Sequence, residues 1–284
     1  MSSLLIINSS CERNLLEEEQ YFNLIYLKSE SNNIYPYTHS MNDSISTGYV
    51  LVGSGGSMPL TQDIVVTLEI DTSILNRYNF RNFGPNVEKY VKLVDPQYMV
   101  IPSTRIILEK GDAAGLKACP IEIDANMLSP DSTYMIPLKI VKTAEYQVNT
   151  EKEFVLYKPE LRNQYVSPKS RSYRMKGTRE VSGGLPTAMT MNKNLVPISY
   201  NKVRLFPDNI SSSTSLVDIQ NKAIVLVIES DNTVKVKPYK NIEVEDLGTS
   251  VYHTEEKVFT LSYRYRLTPQ SNWIKVNEAL TRVE

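Results

Sequence analysis

Residues 258–267 read Val258-Phe259-Thr260-Leu261-Ser262-Tyr263-Arg264-Tyr265-Arg266-Leu267 and alternate between apolar and polar side chains. Because successive side chains of a strand point to opposite faces, this pattern predicts a strand with one buried face. The side chains expected on that face are Phe259, Leu261, Tyr263, Tyr265 and Leu267. Tyr263 and Tyr265 would line a small ligand pocket in a barrel or curved sheet, or fill a core with hydrogen-bonded phenols.

The same alternation recurs through the chain, notably at residues 66–71 and 134–141. In the second of these runs, one buried face is expected, formed by Tyr134, Ile136, Leu138 and Ile140. Turn-forming residues separate such runs, and the helical signals are short, near residues 74–78 and 87–91. The sequence therefore predicts an all-β fold made of antiparallel sandwiches or barrels.

Length and charge limit the class of protein. The chain has 284 residues, with 31 basic and 32 acidic side chains and a net charge of −1, which argues against a nucleic-acid partner. A polar stretch with little apolar patterning at residues 159–172 predicts a linker. We therefore expect a first domain at residues 21–158 and a second at residues 173–284.

The N-terminus resembles a shortened lipoprotein signal. The apolar residues 4–7 are followed by Asn8, two serines and Cys11. Lipoprotein processing attaches a diacylglycerol to such a cysteine, so we interpret residues 1–20 as a signal remnant and tether, with Cys11 as the lipidation site. The alternative is a frayed terminus with an incidental cysteine. Cys119 alternates with Ile121 and Ile123 and is expected in the core.

Catalytic motifs are weak throughout. The glycine-rich residues 53–57 lack phosphate-binding spacing and are interpreted as a flexible loop. The acidic cluster of Glu243, Glu245 and Asp246 is interpreted as a solvated loop, and the two histidines have no metal-binding spacing. We expect no catalytic residues, no cofactor and no metal site, hence a protein that is not an enzyme.

Aromatic side chains offer candidate stacking surfaces for sugars. Trp273 is the single tryptophan, and alternation places it on the face opposite Ile274. Tyr35 and Tyr37 flank Pro36, which stiffens the segment between the two rings. For each of these three rings, packing inside the protein is the alternative to a sugar site.

Several pieces of the chain carry a resemblance when they are taken together. In the first half, they are residues 66–71, 75–79 (LNRYN), Tyr98, 106–111 and 134–138. In the second half, they are residues 201–204, 223–236 and 259–265. In their order and spacing, these pieces resemble a family of two-domain outer-membrane lipoproteins of Bacteroidetes, of unknown function and often found beside Sus-type glycan-uptake systems.

The resemblance implies an N-terminal immunoglobulin-like β-sandwich followed by a C-terminal calycin- or lipocalin-like β-barrel or β-sandwich. It also implies a lipid anchor in the outer membrane, exposure at the cell surface, and a non-catalytic role in binding or presenting glycans. Uptake proteins or glycoside hydrolases would then be partners. The alternatives are an adhesion or scaffold protein that recognises another protein, and an enzyme with an unrecognised carboxylate pair.

Overall fold

The computed structural model describes residues 21–56, 58–111, 115–143 and 146–283. Cys11, with its predicted lipidation, and the predicted tether at residues 1–20 lie outside these ranges, as does Ser57 of the glycine-rich run. Of the described residues, 50% lie in strands and 12% in helices. The prediction of an all-β fold is confirmed.

The first half of the chain folds as two facing sheets. Its strands are β1 (Leu24–Leu27), β2 (Ile34–Ser40), β3 (Ser46–Gly55), β4 (Ile64–Ile70), β5 (Lys92–Leu93), β6 (Met99–Val100), β7 (Arg105–Leu108), β8 (Leu116–Ile123), β9 (Tyr134–Thr143), β10 (Gln147–Val148) and β11 (Phe154–Arg162). Sheet 1 has the order β10-β1-β3-β8-β6, and sheet 2 has the order β2-β11-β9-β4-β7 with β5 beside β9. Side chains from both sheets share one apolar core, which includes Val50, Cys119 and Leu138. The arrangement is a sandwich, and Cys119 is buried as predicted.

One helix covers the outer face of sheet 2. Helix α1 (Thr72–Phe83) begins after Asp71, whose carboxylate accepts a hydrogen bond from the Ser73 backbone N–H at 3.0 Å. It ends at Gly84, where φ is 55°, a value that favours glycine. This helix is longer than the turn predicted at residues 74–78. Short 3-10 turns lie at Ser31–Asn33, Val87–Lys89, Pro96–Tyr98 and Ala125–Met127.

The prediction of a single buried face for β9 was wrong. Met135 and Pro137 are buried together with Ile136 and Leu138. The reason is that helix α1 covers the second face of the sheet, where its Ile74 packs in a cluster with Met135. A strand covered on both faces loses the alternation that marks a half-exposed one.

The second half folds around another core. Its strands are β12 (Ser172–Val181), β13 (Thr187–Asn194), β14 (Val196–Ser199), β15 (Lys202–Leu205), β16 (Ile224–Ile228), β17 (Val234–Pro238), β18 (Glu243–Asp246), β19 (Val251–His253), β20 (Val258–Arg266) and β21 (Ile274–Arg282), and helix α2 (Leu216–Lys222) precedes β16. Sheet 3 has the order β13-β12-β21-β20-β18 with β19 beside β20, and sheet 4 has the order β14-β15-β16-β17. Both sheets contribute to one core, which includes Val203, Leu226 and Phe259.

Strand β21 includes residues 277–282 and pairs with β12 on one side and β20 on the other. Two predictions about the second half were wrong. The acidic cluster forms strand β18, because Glu243 and Glu245 face arginines of β20 across the ladder. Leu267 lies beyond the end of β20 and is 39% exposed rather than buried.

Two features of the first half also differ from expectation. Gly53 and Gly55 belong to strand β3 and pair with β1, so they are not part of a flexible loop. A Cβ atom at Gly53 would lie 2.7 Å from Leu116 Cδ2, which shows that neighbouring side chains need its small size. Residues 159–162, expected in the linker, continue β11 to its end at Arg162.

A partly buried ion pair joins the two halves. Asp131, in the turn before β9, accepts hydrogen bonds from the Arg204 guanidinium and from the Tyr239 hydroxyl, the latter at 2.5 Å. Arg204 is only 5% exposed, and its guanidinium lies 5.0 Å from the centroid of the Tyr239 ring. This contact links a loop of the first sandwich to sheet 4.

Candidate functional site

Tyr263 and Tyr265 lie in the interior of the second half. They are 0% and 2% exposed. The Tyr263 hydroxyl donates a hydrogen bond to Glu278 at 2.8 Å, and the Tyr265 hydroxyl donates to Asp208 at 2.9 Å. Both phenols have partners inside the protein, which is the arrangement of a filled core with satisfied hydroxyls.

Charged groups accompany these phenols inside the core. The Lys193 ammonium donates to the Phe206 carbonyl oxygen at 2.7 Å and is 1% exposed. Burial lowers the pKa of Lys193 and raises the pKa of Glu278, and attraction between the two opposes both shifts. Lys193 ties β13 to the chain at Phe206, and the Tyr263–Glu278 hydrogen bond ties β20 to β21.

Trp273 is partly buried at the start of β21, next to two arginines of β20. The guanidinium carbons of Arg264 and Arg266 lie 4.7 Å and 4.9 Å from its ring centroid. Arg264 also bonds Glu245 at 2.7 Å, and Arg266 bonds Glu243. The indole ring is therefore engaged by cations of its own sheet, which reduces the surface it offers to a sugar.

Tyr35 and Tyr37 lie half-buried on β2, next to Tyr157 of β11. The rings of Tyr37 and Tyr157 stack with centroids 6.1 Å apart, and the centroids of Tyr35 and Tyr157 are 6.5 Å apart. The edge of Tyr37 also meets Tyr49 at 6.2 Å. The two predicted candidates thus belong to one aromatic cluster of the sandwich.

A cleft opens between helix α1 and the edge of sheet 2, and we call it the helix cleft. Its volume is 490 Å³. Apolar and aromatic groups line one part of it, namely Ile34, Ile74, Tyr78, Phe154 and Leu156. Polar groups line the other part, namely Asn32, Asn33, Arg77, Arg81 and Asn82. A few polar groups beside an apolar surface are typical of small-molecule sites of this size.

Two asparagines shape one wall of the helix cleft. Asn32 and Asn33 both have φ of 58°, a left-handed conformation that asparagine tolerates better than most residues. The Asn33 amide donates to the Glu151 carbonyl oxygen at 2.9 Å and accepts from the Ser29 hydroxyl at 3.3 Å. Asn33 therefore fixes the turn, while Asn32 is exposed beside it.

Asn79 fixes the opposite wall. Its side-chain amide donates to the Val91 carbonyl oxygen at 2.8 Å, and its side-chain oxygen accepts from the Val91 N–H at 2.9 Å. This paired contact ties helix α1 to the chain that follows it. Residues 75–79 thus have two roles, because Leu75 and Asn79 anchor the helix while Arg77 and Tyr78 line the cleft.

A second cleft, of 600 Å³, lies between the two halves. Arg204 lines it, but its guanidinium is already paired with Asp131. Phe206, the aromatic residue in this lining, is 4% exposed and belongs mainly to the core. The helix cleft combines half-buried rings with two arginines that form no ion pair with any described residue, and it is the better candidate for a binding site.

No sequence pattern predicted the residues of the helix cleft as a site. Two signals were present, the adjacent pair Asn32 and Asn33 and the LNRYN run at residues 75–79. Neither predicted a site, because the wall formed by Phe154 comes from a strand more than 70 residues away in sequence. Only the packing of helix α1 on sheet 2 brings these segments together.

Among the described residues, no three histidine, cysteine, aspartate or glutamate side chains are grouped so that they could hold a metal ion. Helices α1 and α2 both fall short of the length and apolar character needed to cross a membrane.

Comparison with protein families assigns both halves of the chain. Residues 17–147 match a family model described as an N-terminal domain, and residues 153–281 match one described as a C-terminal domain. Comparison with curated protein sequences finds no match.

Solved structures share the two-domain fold. A Bacteroides ovatus protein of unknown function is 17% identical with a TM-score of 0.67, covering 91% of this chain and 94% of that one. A multidomain B. ovatus protein that includes DUF1735 is 15% identical with a TM-score of 0.64 over the same shares of the two chains. A Bacteroides thetaiotaomicron protein described as an auxiliary nutrient binding protein is 13% identical with a TM-score of 0.60, covering 89% of this chain and 91% of that one. At these identities the likeness shows the fold.

Proposed function

We propose that this chain binds a glycan in the helix cleft without catalysing a reaction. The premise is that the chain belongs to a two-domain Bacteroides protein family of unknown function. The observation that carries this proposal is the combination in one cleft of half-buried rings, two guanidinium groups and amides that are only partly used by the described residues. Rings such as Tyr78 and Phe154 suit the apolar faces of sugars, and the polar rim suits their hydroxyl groups.

The chemistry of the cleft supports a role without catalysis. Its described lining contains arginine and asparagine but neither aspartate nor glutamate, whereas glycoside hydrolysis uses a carboxylate pair. A structural neighbour described as an auxiliary nutrient binding protein is in line with a binding role. Association with Sus-type uptake proteins or glycoside hydrolases at the cell surface is part of the proposal.

A glycan panel with the full chain tests the proposal. We expect Tyr78→Ala to weaken binding by about tenfold or more, equivalent to about 1.4 kcal/mol. Phe80→Ala is the matched control, because Phe80 lies on the same helix, is 70% exposed and does not line the cleft. Each variant must also unfold at the same denaturant concentration as the wild type, so that a loss of binding is not a loss of folding. Trp273→Ala and Tyr37→Ala are tested alongside. If binding were abolished only by one of these two variants, the site would be assigned to that residue instead of the helix cleft.

The alternative is an adhesion or scaffold protein that recognises a protein partner. Leu185 favours it, since this leucine is 88% exposed between strands β12 and β13. If the protein bound no glycan of the panel, this result would support the alternative. Pull-down with the wild type and with Leu185→Ser would then test whether the tip of the hairpin makes the contact.

We also propose that Cys11 carries a lipid that anchors the protein in the outer membrane. The apolar run followed by small residues and cysteine supports this assignment. Metabolic labelling with an alkyne fatty acid should mark the protein expressed from its complete gene, and Cys11→Ala should abolish the label. An unlabelled wild type would remove the anchor.

A further inference from the structure

Two arginines of helix α1 face the helix cleft from adjacent turns. Arg77 and Arg81 are four residues apart, so they lie on the same side of the helix, and both are exposed. Like charges at this spacing repel each other. Arg81 also lies in the last turn, where a cation interacts favourably with the helix dipole. Arg77 lies in the middle of the helix and has no such compensation.

Neither guanidinium has an ion-pair partner among the described residues. Other arginines of the chain do, including Arg204 with Asp131, Arg264 with Glu245 and Arg266 with Glu243. The carboxylate of Asp71 interacts with Arg77 only weakly through space, and its hydrogen bond goes to the Ser73 N–H. The cleft therefore presents two positive charges that the described protein leaves unneutralised.

The neutral groups of the rim are only partly used. The Asn82 amide donates to the Tyr78 carbonyl oxygen at 2.7 Å, and no described group bonds the Asn82 side-chain oxygen. The Asn32 side chain likewise makes no hydrogen bond with the described residues. Sugar hydroxyls both donate and accept hydrogen bonds, so these amides can bind them. Guanidinium groups instead match carboxylates and sulfates, whose oxygens can accept two parallel hydrogen bonds.

We infer that the helix cleft selects glycans that carry an anionic substituent, a carboxylate or a sulfate ester, which Arg77 and Arg81 bind while a sugar ring packs against Tyr78. This inference rests on the proposed function and adds the class of ligand. Both substituents place a group with anionic oxygen atoms on a sugar.

The test compares charged glycans with neutral counterparts of the same backbone. Calorimetry with the full chain would use polygalacturonate against its methyl ester, and carrageenan against its desulfated form. We expect at least one charged glycan to bind about tenfold more tightly than its neutral counterpart. Raising the salt concentration should reduce this preference, because the charges are exposed to solvent. The pair that shows the preference identifies carboxylate or sulfate as the substituent.

Substitutions link the preference to the two arginines. Arg77→Gln and Arg81→Gln should each remove most of the preference for the charged glycan. Arg174→Gln is the matched control for overall charge, since Arg174 is exposed on β12 in the other half of the chain. Equal binding of charged and neutral glycans would overturn the inference and leave the proposed function intact. Failure of every glycan to bind would overturn both the inference and the proposed function. A preference unaffected by Arg77→Gln and Arg81→Gln would overturn the assignment of these two residues.

Discussion

His39 and Tyr157 form a fully buried hydrogen bond in the first sandwich, with Nε2 of His39 2.5 Å from the Tyr157 hydroxyl oxygen. Nδ1 of His39 lies 3.1 Å from the Ser46 carbonyl oxygen, which can only accept a hydrogen bond. Nδ1 must therefore carry the proton, and Nε2 accepts from the Tyr157 hydroxyl. The neutral imidazole satisfies both contacts, and burial lowers the pKa of His39 to about 4.

This arrangement predicts a loss of stability in acid. Between pH 6.5 and about 4 the unfolded chain binds a proton at His39 that the folded protein does not, so the free energy of unfolding falls as the pH falls. The loss attributable to this group reaches about 3 kcal/mol near pH 4. Urea unfolding at pH 7 and pH 4.5 measures it. His39→Gln should show a smaller loss over this range, and an equally steep loss in the variant would contradict the assignment.

The buried ammonium of Lys193 predicts a second pH effect. Lys193→Met removes the charge that attracts the buried carboxyl of Glu278 and the donor to the Phe206 carbonyl oxygen, and a buried polar group left without its partner costs about 1–3 kcal/mol. Without the cation, the pKa of Glu278 should rise further above its unfolded value, so the variant should lose stability as the pH rises. Urea unfolding at pH 6 and pH 9 measures this. The control Lys176→Met, exposed on β12, should change stability by no more than about 0.5 kcal/mol.

The Asp131 contact predicts that the two halves unfold together. Asp131→Ala removes the partner of the buried Arg204 and the acceptor of the Tyr239 hydroxyl. We expect the two halves of this variant to unfold in separate transitions, because the contact that couples them is lost. The fluorescence of Trp273, the single tryptophan, reports only on the second half, whereas circular dichroism reports on both, so the two probes should give different transitions. Coincident transitions in the variant would show that other contacts couple the halves. Glu88→Ala, an exposed acidic residue of the first half, is the control.

Gly177 predicts a steric limit in sheet 3. A Cβ atom there would lie 2.2 Å from the Asn277 carbonyl oxygen, which belongs to the paired strand β21 and cannot move without disturbing the ladder. Gly177→Ala should therefore destabilise the protein by about 1–3 kcal/mol. The control is Gly55→Ala, whose Cβ would meet Tyr26 at 3.5 Å, and it should shift stability by no more than about 1 kcal/mol. Equal effects in thermal unfolding would contradict this explanation.

Strand β20 shows how far alternation alone can predict structure. Phe259, Leu261, Tyr263 and Tyr265 are buried as expected, because a sheet with one covered face imposes a period of two on its strands. Leu267 fits the same pattern but lies past the strand end and is 39% exposed. Periodicity identifies the face of a strand more reliably than its last residue.

Charged residues show where sequence reasoning fails. Glu278 carries a charge at neutral pH when exposed to water, yet it is 3% exposed on a central strand. Its partners Lys193 and Tyr263 come from other strands, so no local pattern predicts the burial. The same holds for Glu243 and Glu245, which are in a strand because Arg266 and Arg264 lie opposite them.

Local alternation of apolar side chains is enough to predict the all-β class, the burial of Cys119 and the buried aromatic face of β20. Which aromatic and charged groups remain accessible depends on how the sheets and helix α1 pack. This packing buries Tyr263 and Tyr265, covers Trp273 with arginines, and leaves Arg77 and Tyr78 at an open cleft. Local patterns cannot predict these features, because burial, ion pairing and cleft formation depend on segments far apart in the chain that meet only in the folded protein.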